Sequence, residues 1–219
     1  MIKKSNFADT IVKWAQMGNL RDFPWRREHR AWAIALAEIL LARTPANRVL
    51  PVYEEILLKF RNPSQLANAS IGELTRILRP LGLQAKKAVQ LKTMATLFAQ
   101  PLPKEVLVEE LKTIPGMGPY SYHATLLFAL GIVRPMVDIN IKRVLIRYFG
   151  TSGNENFSLF VEGLMPKDPQ AARLFFYGML DLAALFCKKK PRCKNCPLSE
   201  GCSFVIKSSS TKLKRNWAT

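Results

Sequence analysis

The sequence predicts an all-α protein. Apolar residues recur at intervals of three and four along nearly the whole chain, and no stretch alternates apolar and polar residues for long enough to predict a sheet. Proline and glycine separate these periodic segments, as they do between helices. With 219 residues, of which 48% are hydrophobic, the chain can bury the core of one sizeable domain or of two lobes.

The periodic segments predict ten helices in chain order. These cover residues 7–17, 32–41, 47–60, 71–78, 86–98, 106–113, 120–130, 141–148, 157–164 and 169–186. Their joints contain proline or glycine at residues 23–24, 62–63, 79–80, 100–103, 114–116 and 134–135. No apolar run could span a bilayer and the N-terminus has no signal-peptide core, so we expect a soluble, intracellular protein. Residues 207–219 are polar and basic, which predicts a loosely held tail.

The charge of the chain predicts a polyanionic partner. There are 33 Lys and Arg against 16 Asp and Glu, which gives a formal net charge of +17. Such an excess raises the association rate and the non-specific affinity for a phosphate backbone. Composition does not separate DNA from RNA, or either of them from a charge that only keeps the protein soluble.

Residues 111–120 join two predicted helices through Gly116 and Gly118, which are separated by one residue. Glycines let the backbone turn tightly and approach a ligand closely, and the following helix N-terminus offers unpaired N–H groups and a positive dipole end. A DNA phosphate would suit this turn in so basic a chain. A plain interhelical turn would have the same residues.

Asp138 lies where the helix that carries Ile141, Val144, Leu145 and Tyr148 begins. It is therefore a candidate N-cap that accepts backbone N–H bonds. It is also a candidate catalytic carboxylate, since cleavage of an N-glycosidic bond develops positive charge on the sugar. The two roles are compatible because a helix N-terminus favours the charged form. Asn140 could orient this carboxylate.

All four cysteines lie within one short segment. Five residues separate Cys187 from Cys193, two separate Cys193 from Cys196, and five separate Cys196 from Cys202. In an intracellular chain, such close spacing favours metal ligation over disulfide bonds. Zinc sites usually have two close pairs, whereas only the central pair is close here, which favours one four-thiolate cluster and leaves zinc as the alternative. The basic residues of the first loop either meet phosphates or are simply solvated.

Together these motifs resemble those of the helix-hairpin-helix (HhH-GPD) glycosylases, a family that includes endonuclease III, the adenine-specific MutY enzymes and the archaeal thymine mismatch glycosylases. Residues 22–26 (DFPWR) look like a motif of the MutY branch, residues 114–118 (IPGMG) like the family's hairpin, and residues 137–140 (VDIN) like its catalytic segment. The resemblance covers nearly the whole chain. It departs from the family pattern at the first cysteine loop, where five residues replace the more common six.

The resemblance implies a two-lobed all-α fold. Residues 28–133 would form a six-helix lobe with the hairpin, and residues 1–27 with 134–219 a second lobe, whose loop at 187–202 holds a [4Fe-4S] cluster through the four cysteines. The target nucleotide would be flipped out of the duplex to reach the active site. Asp138 would then stabilise the sugar cation or direct water to it. Glu38 matches the glutamate that points at the flipped base. A glutamate on an amphipathic helix is more often solvated, but the apolar run around Glu38 and the family match outweigh that alternative.

Tyr120 occupies the position where bifunctional relatives have the lysine that attacks the sugar. Because a phenol cannot form an imine, the resemblance implies a monofunctional enzyme that leaves an abasic site and an intact strand. Lys112 and Lys142 are nearby amines that match phosphate-contacting or solvated lysines better than nucleophiles.

The target base is expected to be thymine, or uracil, mispaired with guanine. Residues 40–44 (LLART) and 81–88 (LGLQAKKA) resemble the thymine branch, and the chain ends soon after Cys202, without the extra C-terminal domain of typical adenine glycosylases. One methyl group distinguishes the two pyrimidines by only ~1–3 kcal/mol. Ala42, Arg43 and Leu83 would face the duplex, with Arg43 or Leu83 filling the gap or contacting the orphaned guanine. Leu83 could instead belong to the core.

Two other functions stay open: an adenine glycosylase of the MutY type and a DNA-binding module without catalysis. Asp138 and Glu38 favour an enzyme. We expect a monomer that acts on double-stranded DNA containing a mismatched or damaged base, in the nucleoid region of a prokaryotic cytoplasm.

Overall fold

The computed structural model describes the backbone of residues 2–207 and the side chains of residues 6–207. This part of the chain contains twelve α-helices and no strand, which confirms the predicted all-α class. The helices are α1 (Ile2–Trp14), α2 (Pro24–Arg27), α3 (Ala31–Leu41), α4 (Ala46–Lys59), α5 (Pro63–Asn68), α6 (Ile71–Leu78), α7 (Gln84–Ala99), α8 (Lys104–Glu110), α9 (Pro119–Leu130), α10 (Ile139–Phe149), α11 (Phe157–Glu162) and α12 (Pro169–Leu185). None of the helices described is long and apolar enough to cross a membrane.

The structure adds two short helices, α2 and α5, to those predicted. With four and six residues they are too short to display a helical period, and the sequence shows only their first residues, Pro24 and Pro63. The first helix also starts earlier than predicted, at Ile2, and it ends in a π-helical turn over Ala15–Asn19 in which Gly18 has φ 78°. The predicted tail at 207–219 lies almost entirely outside the described residues.

The chain divides into two compact units. The central unit comprises Asp22–Ile132, and the terminal unit joins Met1–Arg21 to Val133–Thr219. Helices α2 to α9 therefore belong to the central unit, and α1 and α10 to α12 to the terminal unit.

The core of the central unit surrounds α3. Every residue from Trp32 to Leu40 is buried, as expected of a helix that is apolar on all faces and packed on all sides. Helices α4, α7 and α9 pack against it, and α5 and α6 pack on α7. Glu38 is the single charged residue in this stretch of α3.

The terminal unit is built on α12, against which α1 and α10 pack. Phe7 of α1 is fully buried, and its ring lies 4.7 Å from that of Tyr148 and 6.3 Å from that of Phe175. Gly178 sets the approach of α1 to α12, since a Cβ there would lie 2.5 Å from the Cγ2 atom of Ile11. The packing of this unit fixes α10, whose first turn carries Asp138 and Asn140.

Candidate active site

Asp138 caps α10, as the sequence predicts. Its Oδ1 atom accepts a hydrogen bond of 2.7 Å from the backbone N–H of Ile141, and its backbone is extended at φ −119° and ψ 179°. The second carboxylate oxygen accepts a hydrogen bond of 2.7 Å from the side-chain amide of Asn140. These two donors hold the carboxylate in a defined orientation, which suits Asp138 to face a developing cation.

A chain of hydrogen bonds connects Asp138 to the cysteine segment. The side-chain carbonyl of Asn140 accepts a bond of 3.0 Å from Arg143, whose Nε donates at 2.7 Å to the backbone carbonyl of Cys187. Each partner restricts the next, so the orientation of the Asp138 carboxylate depends on Asn140 and Arg143. The sequence analysis identified Asn140 but missed Arg143, whose spacing of three residues from Asn140 on one helix face was the available signal.

Glu38 is buried in the middle of α3, with 6% of its surface exposed, so the alternative of a solvated glutamate is wrong. Burial raises the pKa of its carboxyl group to about 8, and the guanidinium of Arg26 partly opposes that rise. The carboxyl group is therefore mostly protonated at neutral pH. A protonated carboxyl can donate a hydrogen bond or a proton, as an acid that assists a leaving group must.

Arg26 is a second residue that the sequence analysis did not assign. It belongs to α2, where it follows the buried Trp25, and its guanidinium lies 5.4 Å from the ring centre of Phe23. The rings of Phe23 and Trp25 stack at 4.7 Å with an angle of 7°. This aromatic support holds Arg26 within electrostatic reach of Glu38. The available signal was the motif at residues 22–26.

The two hairpin glycines differ in what the fold requires of them. Gly116 has φ 72°, and a Cβ there would lie 2.7 Å from Cε of Lys86. Gly118 is the N-cap of α9, has an ordinary φ of −76°, and would meet nothing within 4 Å if it carried a Cβ. The positive φ favours glycine at Gly116, while at Gly118 the missing side chain leaves open space beside the N-terminus of α9. Such a space suits a phosphate.

Ala42, Arg43 and Leu83 lie in the loops that end α3 and begin α7. Arg43 is exposed, Ala42 is partly exposed, and Leu83 has 55% of its surface exposed. The core alternative for Leu83 is therefore wrong. Tyr120 is half-buried at the second position of α9. Lys112 forms an ion pair with Glu109, and Lys142 lies over the ring of Phe157 at 5.4 Å.

The four cysteines are half-buried, form no disulfide, and follow the end of α12. Burial raises the pKa of Cys193, and that of Cys196 to about 11, and in both cases neighbouring thiols raise it further. Arg147 donates to the Cys187 sulfur at 3.4 Å, and the Cys202 sulfur donates to the Arg147 carbonyl at 3.5 Å. In the described chain no three His, Cys, Asp or Glu side chains are arranged to hold a metal ion. The donor set of four neighbouring thiols nevertheless fits an iron–sulfur cluster.

The structure thus groups the predicted site residues by unit. Asp138, Asn140 and the four cysteines belong to the terminal unit. The central unit contains the others, which are Glu38, Ala42, Arg43, Leu83, Gly116, Gly118 and Tyr120.

Comparisons with known proteins show which family the chain resembles. The family model described as HhH-GPD superfamily base excision DNA repair protein matches residues 36–162. The thymine/uracil-DNA glycosylase of Pyrobaculum aerophilum is 33% identical over 214 residues, covering 93% of each protein. The thymine-DNA glycosylase of Aeropyrum pernix is 35% identical over 206 residues, covering 89% of this chain and 92% of the relative. A solved structure of a thermostable thymine-DNA glycosylase matches with a TM-score of 0.81 at 31% identity, covering 94% of this chain and 98% of that protein.

Proposed function

This chain belongs to the HhH-GPD superfamily of base excision DNA repair proteins, and on that premise we propose that it is a monofunctional DNA glycosylase. Its substrate is thymine or uracil mispaired with guanine in duplex DNA, on which it acts as a monomer. The strongest support is the identity of 33% to a protein named thymine/uracil-DNA glycosylase and of 35% to one named thymine-DNA glycosylase, each over about nine-tenths of the chain. The net charge of +17 suits a DNA partner.

Asp138 acts on the sugar. As the bond between the base and C1′ breaks, positive charge develops on the sugar, and the negative carboxylate stabilises it. A water molecule then adds to C1′, with Asp138 able to accept the proton that this water loses. Asn140 holds the carboxylate in one orientation through its hydrogen bond of 2.7 Å to Asp138, and Arg143 holds Asn140 through a hydrogen bond of 3.0 Å.

Glu38 acts on the departing base. A pyrimidine that leaves C1′ carries the electron pair of the broken bond and therefore needs a proton or a hydrogen bond. A buried carboxyl with a pKa of about 8 is protonated at neutral pH and can supply either. Tyr120 offers no amine for an imine with the sugar, so the product is an abasic site in an intact strand.

Cys187, Cys193, Cys196 and Cys202 would hold a [4Fe-4S] cluster. When bound, the cluster would cross-link the segment that follows α12 and keep the carbonyl of Cys187 in place. That carbonyl accepts the Nε donor of Arg143 at 2.7 Å, so the segment supports the orientation of Asp138.

A single-turnover assay tests the proposed activity. Labelled duplexes would contain T or U opposite G, and A opposite G or oxidised G, each measured with and without alkali. We expect release of T and U, with strand breaks only after alkali. Release of A would assign the chain to the adenine branch, breaks without alkali would contradict the role of Tyr120, and no release would favour a non-catalytic DNA-binding module.

The variant Cys193→Ser tests the cluster. Because cluster ligation and folding are coupled, loss of one cysteine ligand should reduce the solubility of the protein and remove the visible absorption of the cluster. Purified protein would be examined by absorption spectroscopy, iron analysis and thermal unfolding. A soluble variant as stable as the parent, with neither protein containing iron, would contradict the assignment.

A further inference from the structure

Two loops of the central unit each contain an exposed residue with an unusual backbone conformation. The first, the 42–45 loop, follows α3 and includes Arg43, and the second, the 79–83 loop, precedes α7 and includes Leu83. Among the described residues, Arg43 and Leu83 are the only two other than glycine with a positive φ, at 59° and 52°. Side chains other than glycine rarely adopt this conformation, which persists only where surrounding contacts enforce it.

Lys87 makes contacts to both loops. Its side chain is buried, with 2% exposed, and its ammonium donates to the carbonyls of Ile39 at 2.8 Å, Leu40 at 3.0 Å and Ala42 at 3.0 Å. These are carbonyls at the C-terminal end of α3, directly before Arg43. The backbone N–H of Lys87 donates at 2.9 Å to the carbonyl of Leu83. The Lys87 side chain thus ties the residue before Arg43 to the first turn of α7, the helix that Leu83 caps at its N-terminus.

Two further observations support a fixed relation between the loops. Arg48, at the start of α4, donates to the carbonyl of Pro80. This bond connects the helix that follows the 42–45 loop to the 79–83 loop. Burial lowers the pKa of Lys87 to about 8, so the ammonium form, with three donors for three carbonyls, predominates at neutral pH.

Lys92 shows that such a contact does not by itself produce strained, exposed residues. It also lies on α7, and its ammonium donates at 2.6 and 2.7 Å to the carbonyls of Ala67 and Ala69 at the end of α5. The residues there have ordinary negative φ angles, −59° at Ala69 and −70° at Ser70. The two lysines perform the same structural task, but only Lys87 supports the loops with Arg43 and Leu83.

We propose that Lys87 is a positioning residue for base extrusion, which holds the two loops so that Arg43 and Leu83 enter the duplex together where the target base leaves. This inference rests on the proposed function, because it requires a flipped base. Rigid loops that are already in place lose little conformational freedom on binding, which favours the extruded state of the DNA. Without the ammonium group, three carbonyls lose their donor, Arg43 beside them can relax toward negative φ, and the end of α3 is no longer tied to the start of α7, where Leu83 lies.

Extrusion can be measured without catalysis. The variants Lys87→Met and Lys92→Met would each be made in the Asp138→Asn background and bound, at saturating protein, to a duplex with 2-aminopurine beside a T·G mismatch. Fluorescence of 2-aminopurine rises when its neighbour leaves the stack. We expect Lys87→Met to lower the extruded-to-stacked ratio about tenfold and Lys92→Met to leave it unchanged, while both lower the melting temperature of the protein.

A second substrate separates positioning from general damage. In a duplex where the same thymine faces an abasic-site analogue, extrusion breaks no base pair. In protein that keeps Asp138, Lys87→Met should therefore slow single-turnover release from this duplex by only about twofold, against about tenfold from the T·G duplex. Arg48→Ala, an exposed change, should shift the same ratio in the same direction if Lys87→Met does not fold. Equal losses on both substrates, or an unchanged ratio in Arg48→Ala with Lys87→Met unfolded, would overturn the inference.

The two proposals fail in different ways. If the unmodified enzyme releases no base from any duplex, the proposed function fails, while the fluorescence signal still reports on Lys87. If the parent Asp138→Asn protein produces no fluorescence change on binding, there is no extruded state for Lys87 to favour, and the inference about Lys87 is wrong.

Discussion

Two carboxylates, Asp138 in the terminal unit and Glu38 in the central unit, have opposite surroundings. Asp138 is half-buried at the start of α10, where a backbone N–H and the amide of Asn140 each donate to it at 2.7 Å. Glu38 is buried in the middle of α3 among apolar side chains, and burial raises its pKa to about 8. The donors fix the orientation of the Asp138 carboxylate, whereas the apolar environment of Glu38 favours the neutral form of its carboxyl group.

On the proposed mechanism, this difference lets one residue type serve two steps of one reaction. A charged carboxylate can stabilise a sugar cation, and a neutral carboxyl can give a proton to a departing base. On the same mechanism, two carboxyl groups in such different surroundings are typical of acid–base sites. Substitutions of the two carboxyl groups, and of a residue that orients one of them, test the comparison.

The largest effect is expected from Asp138→Asn. Asparagine keeps the size and the N-cap but removes the negative charge, so single-turnover base release should fall on the order of 10³-fold. Duplex affinity should change little, because the charge acts mainly on the transition state. Asp168→Asn is a matched control, since Asp168 also caps a helix through a bond of 2.8 Å from Ala171. Full activity in Asp138→Asn would contradict the mechanism.

Glu38→Gln should have the next largest effect. Glutamine can donate a hydrogen bond but not a proton, so release should fall on the order of 10²-fold at neutral pH. In the unmodified enzyme the rate should also decline as the pH rises above about 8, where the Glu38 carboxyl loses its proton. That decline should be absent from the pH profile of Glu38→Gln. An unchanged profile would show that another group titrates.

Arg143→Lys should reduce activity by a smaller factor, about tenfold. Lysine retains the charge but cannot bridge the Asn140 side chain and the Cys187 carbonyl with two fixed donors. The loss should fall on the rate of release rather than on duplex affinity. Arg147→Lys is the control, since Arg147 contacts the same cysteine segment through the Lys188 carbonyl at 2.6 Å. Equal losses in both variants would indicate that the segment, rather than the carboxylate, is affected.

The smallest effect concerns stability. The pKa of Glu38 in the folded protein lies above 4.5, the ordinary value for a glutamate carboxyl, so the folded protein binds more protons than the unfolded chain between pH 4.5 and about 8. The contribution of Glu38 to stability is therefore fully present below pH 4.5 and is lost as the pH rises through that window. Glu38→Gln should make the free energy of unfolding less dependent on pH there. Glu54→Gln, at an exposed position, should keep the original dependence, which denaturant titrations at several pH values would measure.

Chain-local features were predictable because their cause lies within a few neighbouring residues. The period of apolar residues predicted the long helices, and the position of Asp138 before Ile141 predicted its N-cap. The glycine pair predicted a turn, and Gly116 does adopt a positive φ there. The short helices α2 and α5 were missed because a helix of four or six residues completes too few turns to show a period.

The sequence by itself therefore determined the all-α class, the helix that Asp138 caps and the grouping of the four cysteines. Tertiary structure alone decided that Glu38 is buried, which raises its pKa, that Leu83 is exposed with φ 52°, and that Lys87 binds the end of α3. Lys87 and Ile39 lie 48 residues apart in the chain. No periodic pattern encodes a contact over that separation, because it depends on how complete helices pack and on which surfaces their packing removes from water.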